Sequence, residues 1–230
     1  MKDYDKGYFE RGGLVGSNYD GYENTIKQLK IYYILVKSWL DKNINEKKRK
    51  NRILDIGCAY GLFLQFFDEI GWETYGLDIS EYAINRAKNY TKAKLFVHSI
   101  ENGLSMFSVN FFDVIVMFDV IEHLKNPVYV LEEIYRVLKP QGYLFMTTPN
   151  ANSISRLLLK NKWPALRDKT HRILFTPYTL KFTLQRVGFE ILEIMTPQFY
   201  PFSKFIQNRK IWQILRHIPG GASIWVVAQK

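Results

Sequence analysis

The sequence predicts an α/β fold in which helices cover both faces of a doubly wound, mostly parallel sheet of seven strands. Three observations predict it. Short apolar runs alternate with helix-period segments along the chain, and the run Phe112 to Phe118 is apolar almost throughout, as a strand buried on both faces must be. The small-residue loop Asp55 to Gly61 lies between a strand pattern and a helix pattern.

Taken in order, a helix with one apolar face runs from about Glu23 to Leu40. Arg52 to Ile56 reads as a buried strand ending in Gly57, and Leu62 to Ile70 as an apolar-faced helix stopped by Gly71. Glu73 to Asp78 is the second strand, and Ser80 caps a helix to about Asn89. Lys94 to His98 is the third strand and Phe112 to Phe118 the fourth. Asn126-Pro127 supplies a cap and a first-turn proline for a helix to Leu138. Gly142 to Thr148 is the fifth strand, broken by Pro149. Thr176-Pro177 opens a helix that Gly188 closes, and Phe189 to Met195 and Ser223 to Gln229 are the last strands.

With 230 residues, no internal repeat and no long Pro/Gly linker, the chain is expected to form one domain. Residues 1–50 supply an N-terminal lid and helix, 51–150 the core that binds a cofactor, and 151–230 the acceptor-side helices and last two strands. Hydrophobic residues make up 47% and charged ones 23%, which excludes a disordered chain. No run reaches the ~18 apolar residues of a membrane span, and the start lacks a signal-peptide core, so a cytoplasmic location is expected. Cys58, the single cysteine, has no partner for a disulfide and no metal-ligand spacing, so no metal is expected. The net charge of +10 admits an anionic partner such as RNA or a membrane surface, although a surplus of Lys on solvated faces is the simpler explanation.

The loop Asp55-Ile56-Gly57-Cys58-Ala59-Tyr60-Gly61 lets a backbone approach a ligand closely, and Asp78 ends the next strand where a carboxylate can accept both ribose hydroxyls. Together they indicate a nucleoside-containing cofactor. A nicotinamide dinucleotide is disfavoured, because position 59 is Ala and no third glycine stands where a pyrophosphate meets the helix.

These residues carry a resemblance. Ile53 to Gly61, Gly76-Leu77-Asp78-Ile79-Ser80, Phe112 to Ile115 through Asp119 to Leu124, and Arg136 to Gly142 resemble, in order, four motifs of class I S-adenosylmethionine-dependent methyltransferases. Thr148-Pro149-Asn150, His171, Phe175-Thr176-Pro177 and Gly188-Phe189 resemble the branch that holds the ubiquinone-biosynthesis O-methyltransferases. The resemblance spans about residues 50–195. It implies a Rossmann-like sheet with the last strand antiparallel and S-adenosylmethionine as cofactor. It also implies that Asp55, Gly57, Cys58, Ala59 and Gly61 line the methionine half, that Asp78 holds the ribose, and that Ile79 lies beside the adenine. Ser99 or the backbone at Ile100 then meets the adenine where many relatives carry an acidic residue, and Phe118 and Asp119 face the cofactor and the acceptor.

Transfer from a sulfonium disperses charge, so positioning and exclusion of water supply much of the acceleration, and a base matters only where the acceptor must lose a proton. His123 and His171 are the candidates for that base; the alternative for His123 is a structural, hydrogen-bonded histidine, and for His171 a lone exposed residue in the basic stretch Arg167 to Arg172. Tyr19 and Tyr22, in a glycine-rich stretch before the first helix, are candidates to touch the ligand from a lid. The aromatic and cationic stretch 199–218 is read as a helix on the sheet edge, with a peripheral membrane contact or part of the acceptor pocket as the alternatives.

The expected function is methyl transfer to a small-molecule, glycan or lipid-linked acceptor, at oxygen. An RNA methyltransferase is the alternative among enzymes, but no RNA-binding module is appended and the Asn-Pro-Pro-Tyr type of adenine motif is absent, so nucleic acid is disfavoured as partner. A non-catalytic protein that binds S-adenosylmethionine and serves as an interaction partner is the alternative outside enzymes.

Overall fold

A computed structural model describes residues 21–43, 51–197 and 220–230, with side chains from Tyr32 onward. Helix α1 (Gly21–Asn43) precedes β1 (Arg52–Ile56), α2 (Leu62–Glu69), β2 (Glu73–Asp78), α3 (Glu81–Ala87) and β3 (Lys94–Val97). Then come β4 (Phe112–Phe118), α4 (Pro127–Val137), β5 (Leu138–Pro149), α5 (Ile154–Leu159), α6 (Pro164–Arg167), α7 (Pro177–Val187), β6 (Glu190–Met195) and β7 (Ser223–Gln229).

The seven strands form one sheet in the order β3-β2-β1-β4-β5-β7-β6. Pairings among β1 to β5 are parallel, and β7 inserts antiparallel between β5 and β6. The last strand is thus antiparallel, as expected. Winding proceeds outward in both directions from β1 and β4, so their carboxyl ends splay apart at the switch point where doubly wound sheets bind ligands.

The apolar run of β4 is explained by burial on two faces, because alternate residues enter different cores. Ile115 and Met117 join Leu54, Ile56, Leu144 and Val226 beneath α4 and α7. Val114 and Val116 join Ile53, Phe145, Trp225 and Val227 beneath α1 and α2. Each large side chain so buried contributes roughly 1.5–3 kcal/mol. The described part of α1 belongs to this second core: Tyr33, Val36 and Leu40 are buried there, so this helix is anchored as well as covering.

The caps fall where local chemistry places them. Ser80 accepts the Ala83 N–H, Asn126 accepts that of Tyr129, and Thr176 and Thr179 close a capping box whose helix ends at Gly188 in the left-handed region. Two boundaries differ from expectation. β5 starts at Leu138 and runs straight out of α4, because Leu138 pairs with Phe112 across a bulge and Gln141 takes a φ of 60° to bring the chain back into register. Between β5 and α7, α5 and α6 are too short and too exposed on their apolar sides for periodicity to reveal them. Among the described residues no helix is long and apolar enough to cross a membrane.

Candidate active site

The first half of the site is the turn after β1. Gly57 has φ +79°, Ala59 φ 45° and Gly61 φ 72°, so the backbone coils through left-handed space that favours glycine. The turn is tied to β2: the N–H groups of Gly57 and Cys58 donate to the Leu77 carbonyl at 2.8 and 3.1 Å. A Cβ on Gly61 would stand 2.8 Å from Thr91 Cγ2 and 3.2 Å from Ala87 Cβ, which keeps that position bare as α2 begins.

Asp78 closes the turn. Its Oδ2 accepts the Ala59 N–H at 3.0 Å and its Oδ1 the Ser80 N–H at 2.8 Å. Two backbone donors orient the carboxylate and leave lone pairs for ribose hydroxyls. Burial pushes its pKa up, opposed by the N–H groups of Ser80, Ala59 and Ile79. His98 N donates to the Asp78 carbonyl at 2.9 Å, which sets Ser99 and buried Ile100 alongside, while Ile79 lies exposed at the end of β2. These positions therefore adjoin Asp78, as an adenine contact requires.

Asp55 is buried at the end of β1, and burial together with the neighbouring Asp78 raises its pKa to about 8. A buried carboxyl held near neutrality is prepared for a cationic group such as an ammonium. Tyr33 on α1, its hydroxyl also pushed up by burial and by Asp55, joins this corner. Sequence reasoning did not single it out, since the helix pattern carries no sign of which sheet residue it covers. Cys58 is buried and its thiol is driven well up by burial, then by Asp55 and Asp78, so it packs as a small apolar group beside Gly76.

The second half gathers after β4. Phe118 stacks on Tyr32 and Trp225, with ring centroids 5.2 and 5.9 Å away, and forms an aromatic wall on the α1 side. Asp119 turns with φ 52°, its N–H donating to the Thr147 carbonyl and its Oδ1 accepting the Thr147 hydroxyl at 3.0 Å. The 3-10 turn Ile121–His123 follows. Glu122 is 1% exposed; its Oε2 accepts the Thr148 hydroxyl at 2.9 Å, and its Oε1 has no partner among the described residues. Its backbone carbonyl accepts the N–H groups of Arg172 and Ile173, which draws residue 171 to the same place.

His123 and His171 meet with ring centroids 4.8 Å apart. His123 Nδ1 contacts the Thr170 hydroxyl at 3.0 Å, and that hydroxyl donates to Asp168 Oδ1 at 2.6 Å. His171 Nδ1 donates to the Ala165 carbonyl of α6 at 2.7 Å, and Asp168 Oδ2 lies 3.8 Å from its Nε2. Burial, then the facing His171, lowers the His123 pKa. Burial raises Glu122 well above the usual range with Asp119 adding to it, and raises Asp119 against the pull of Thr147. Burial pushes Asp168 up, but the Thr170 hydroxyl and N–H outweigh it and hold that carboxylate low. The structure thus brings both predicted histidines together and adds Glu122, Asp168 and Thr170. The adjacent Glu122-His123 pair was the signal for Glu122; Asp168 and Thr170 carry no signal apart from their closeness to His171.

Of the lid residues, Tyr19 lies outside the described residues, and of Tyr22 only its place in α1 is described. The stretch 199–218 and the basic run 47–50 also lie outside them.

A small-residue turn, a backbone-bound carboxylate at the switch point and an adjoining cluster of polar side chains are features of a doubly wound protein that binds a nucleoside cofactor. Residues 30–194 match the model of a family described as a methyltransferase domain, and the chain belongs to that family. Among curated proteins, the ubiquinone biosynthesis O-methyltransferase of Pseudomonas fluorescens (strain SBW25) is 26% identical over half of this chain and half of its own length. That of Burkholderia pseudomallei (strain 1710b) is 24% identical over 73% of this chain and 75% of its own. A solved S-adenosylmethionine-dependent methyltransferase from Archaeoglobus fulgidus superposes with a TM-score of 0.63 at 26% identity, covering 86% of this chain and 94% of that one. The protein is thus an enzyme of the S-adenosylmethionine-dependent methyltransferase class, and S-adenosylmethionine is its cofactor.

The residues fit that cofactor. Bare backbone at Gly57 and Gly61 leaves room for the sulfonium chain, buried Asp55 would meet its ammonium, and Asp78, held by two backbone N–H groups, would hold its sugar.

Proposed function

We propose that this protein transfers the methyl group of S-adenosylmethionine to a hydroxyl oxygen of a small-molecule, glycan or lipid-linked acceptor. The observation that carries the reading is the half-buried meeting of His123 and His171 beyond the tip of β4, beside the cofactor turn. A hydroxyl must lose its proton as it attacks, and an imidazole is the side chain whose protonation changes near neutral pH. The turn and Asp78 hold the donor, the aromatic wall of Phe118 excludes water, and the histidine pair manages the acceptor's proton. The O-methyltransferase names of the relatives support oxygen as the acceptor atom. Exposed Leu157 and Leu158 on α5, which follows β5, support an acceptor with an apolar tail.

The test is incubation with methyl-labelled S-adenosylmethionine and three acceptor panels, of phenols and sugars, of lipid-linked glycans, and of RNA. Label recovered as a methyl ether on a hydroxyl compound supports the reading. Label confined to RNA, or cofactor binding with no transfer to any panel, sinks it.

A further inference from the structure

We propose that Ser99 reads position 6 of the cofactor's purine with a hydroxyl in place of a carboxylate, so that the donor site takes 6-oxo purine forms, S-inosylhomocysteine among them, nearly as well as adenine forms. The inference goes beyond the acceptor reading. It rests on S-adenosylmethionine as the cofactor, with its ribose at Asp78 and its base at the end of β3.

The end of β3 sets Ser99 beside the ribose carboxylate. Val97 pairs with Asp78 in register, and the His98 N–H donates to the Asp78 carbonyl at 2.9 Å. Ser99 keeps extended angles, φ −84° and ψ 125°, so the strand direction carries on and Ser99 falls on the Val97 face. The 3-10 turn Ile100–Asn102 begins there without a side-chain cap, so the hydroxyl of half-buried Ser99 is not spent on the turn.

The acid and the imidazole on either side are engaged elsewhere. Glu101 Oε1 accepts the Lys125 N–H at 2.7 Å. His98 Nε2 donates to the Gly103 carbonyl at 2.8 Å, which turns that ring toward residue 103. Ser99 is therefore the hydrogen-bonding side chain that follows Val97 on the ribose side.

The chemistry of a hydroxyl decides the specificity. A carboxylate accepts and never donates, so it matches the 6-amino group of adenine and repels a 6-oxo group. A hydroxyl does both: by rotating about its C–O bond it accepts from the amino group or donates to the oxo group. The penalty of an unpaired polar group, by which a site of fixed polarity rejects the wrong analogue, does not arise. Neighbouring surface adds affinity without reading the edge, since Val97 is 53% and Ile79 36% exposed and any purine covers their apolar area. At so open a rim the N1–H of a 6-oxo purine keeps its water.

The test is calorimetry on the full chain with S-adenosylhomocysteine and S-inosylhomocysteine, beside thermal unfolding to show that each variant is folded. The unmodified chain is expected to bind the two within about 10-fold of each other, and a larger gap overturns the proposal. Ser99→Asp installs a fixed acceptor and should widen the gap by a further 10-fold or more, roughly the effect of one charged group left unpaired. A gap that this substitution leaves unchanged overturns the role given to Ser99. Ser99→Ala should weaken both ligands by about 3-fold or more, the scale of one lost hydrogen bond, and unchanged binding of both overturns that role as well. Failure of the cofactor reading looks different: S-adenosylhomocysteine itself then does not bind the unmodified chain.

Discussion

The carboxylate of Asp78 accepts the backbone N–H of Ala59 at 3.0 Å, so the residue that ends β2 also clips the turn that ends β1. Donor binding and the shape of the turn are therefore one relationship. Asp78→Ala is expected to weaken S-adenosylmethionine by about 1.5–3 kcal/mol, the scale of lost charged hydrogen bonds. It should also lower the melting temperature, since Ala59 and Ser80 lose their acceptor. Calorimetry and thermal unfolding on one variant read both, and wild-type affinity would sink the ribose assignment.

Asp55 makes stability depend on pH in a direction opposite to that of most carboxylates. Its folded pKa of about 8 lies above the ordinary range, so the folded chain keeps a proton that the unfolded chain has already released. The associated stability is present at low pH and is lost as pH rises toward about 8. Asp55→Asn removes that loss, and should raise the melting temperature of the cofactor-free protein at pH 9 by roughly 4–8 °C, corresponding to about 2 kcal/mol. The same variant should bind S-adenosylmethionine more weakly. Equal pH profiles for the two proteins would contradict the buried-carboxyl account.

Gly57 offers a double-substitution test of the turn. A Cβ there would stand 2.6 Å from Val120 Cγ2, on a backbone at φ +79°. Gly57→Ala should cost about 2–3 kcal/mol, of which about 1–2 is backbone strain. Adding Val120→Ala removes the overlap and leaves the strain. Denaturant unfolding of both single variants and the pair should therefore show a favourable coupling. Strict additivity would show that the Val120 contact does not matter.

The histidines should separate turnover from donor binding. His123→Ala and His171→Ala are each expected to lower kcat at least ~10²-fold, the usual scale for a lost proton-handling group, with S-adenosylmethionine affinity little changed. Steady-state kinetics beside calorimetry distinguish this from a packing defect, which would lower both. Turnover unchanged in both variants would leave positioning alone to explain catalysis.

Much of this architecture was legible in order along the chain, because its signals are local. The start at Asn126-Pro127, the start at Thr176-Pro177 and the stop at Gly188 act within a turn of helix, and they fall where expected. The turn from Asp55 to Gly61 and the carboxylate of Asp78 were legible for the same reason: a bare backbone and a strand-end acid are written in residue types. Periodicity failed at α5, whose exposed leucines point away from any core, and at the start of β5, where pairing with Phe112 rather than propensity sets the first residue.

By itself, then, the sequence determined the alternation of strands and helices, the small-residue turn after β1 and the acid that ends β2, since each is settled by neighbours a few bonds or one helical turn away. Only the tertiary structure decided that β7 enters between β5 and β6, that Tyr33 comes near enough to Asp55 to feel its charge, and that His171 reaches His123 beside Glu122. Those relationships join segments far apart in the chain. They exist because sheet winding and the backbone bonds from Arg172 and Ile173 to Glu122 bring the segments together, and no local preference encodes that closure.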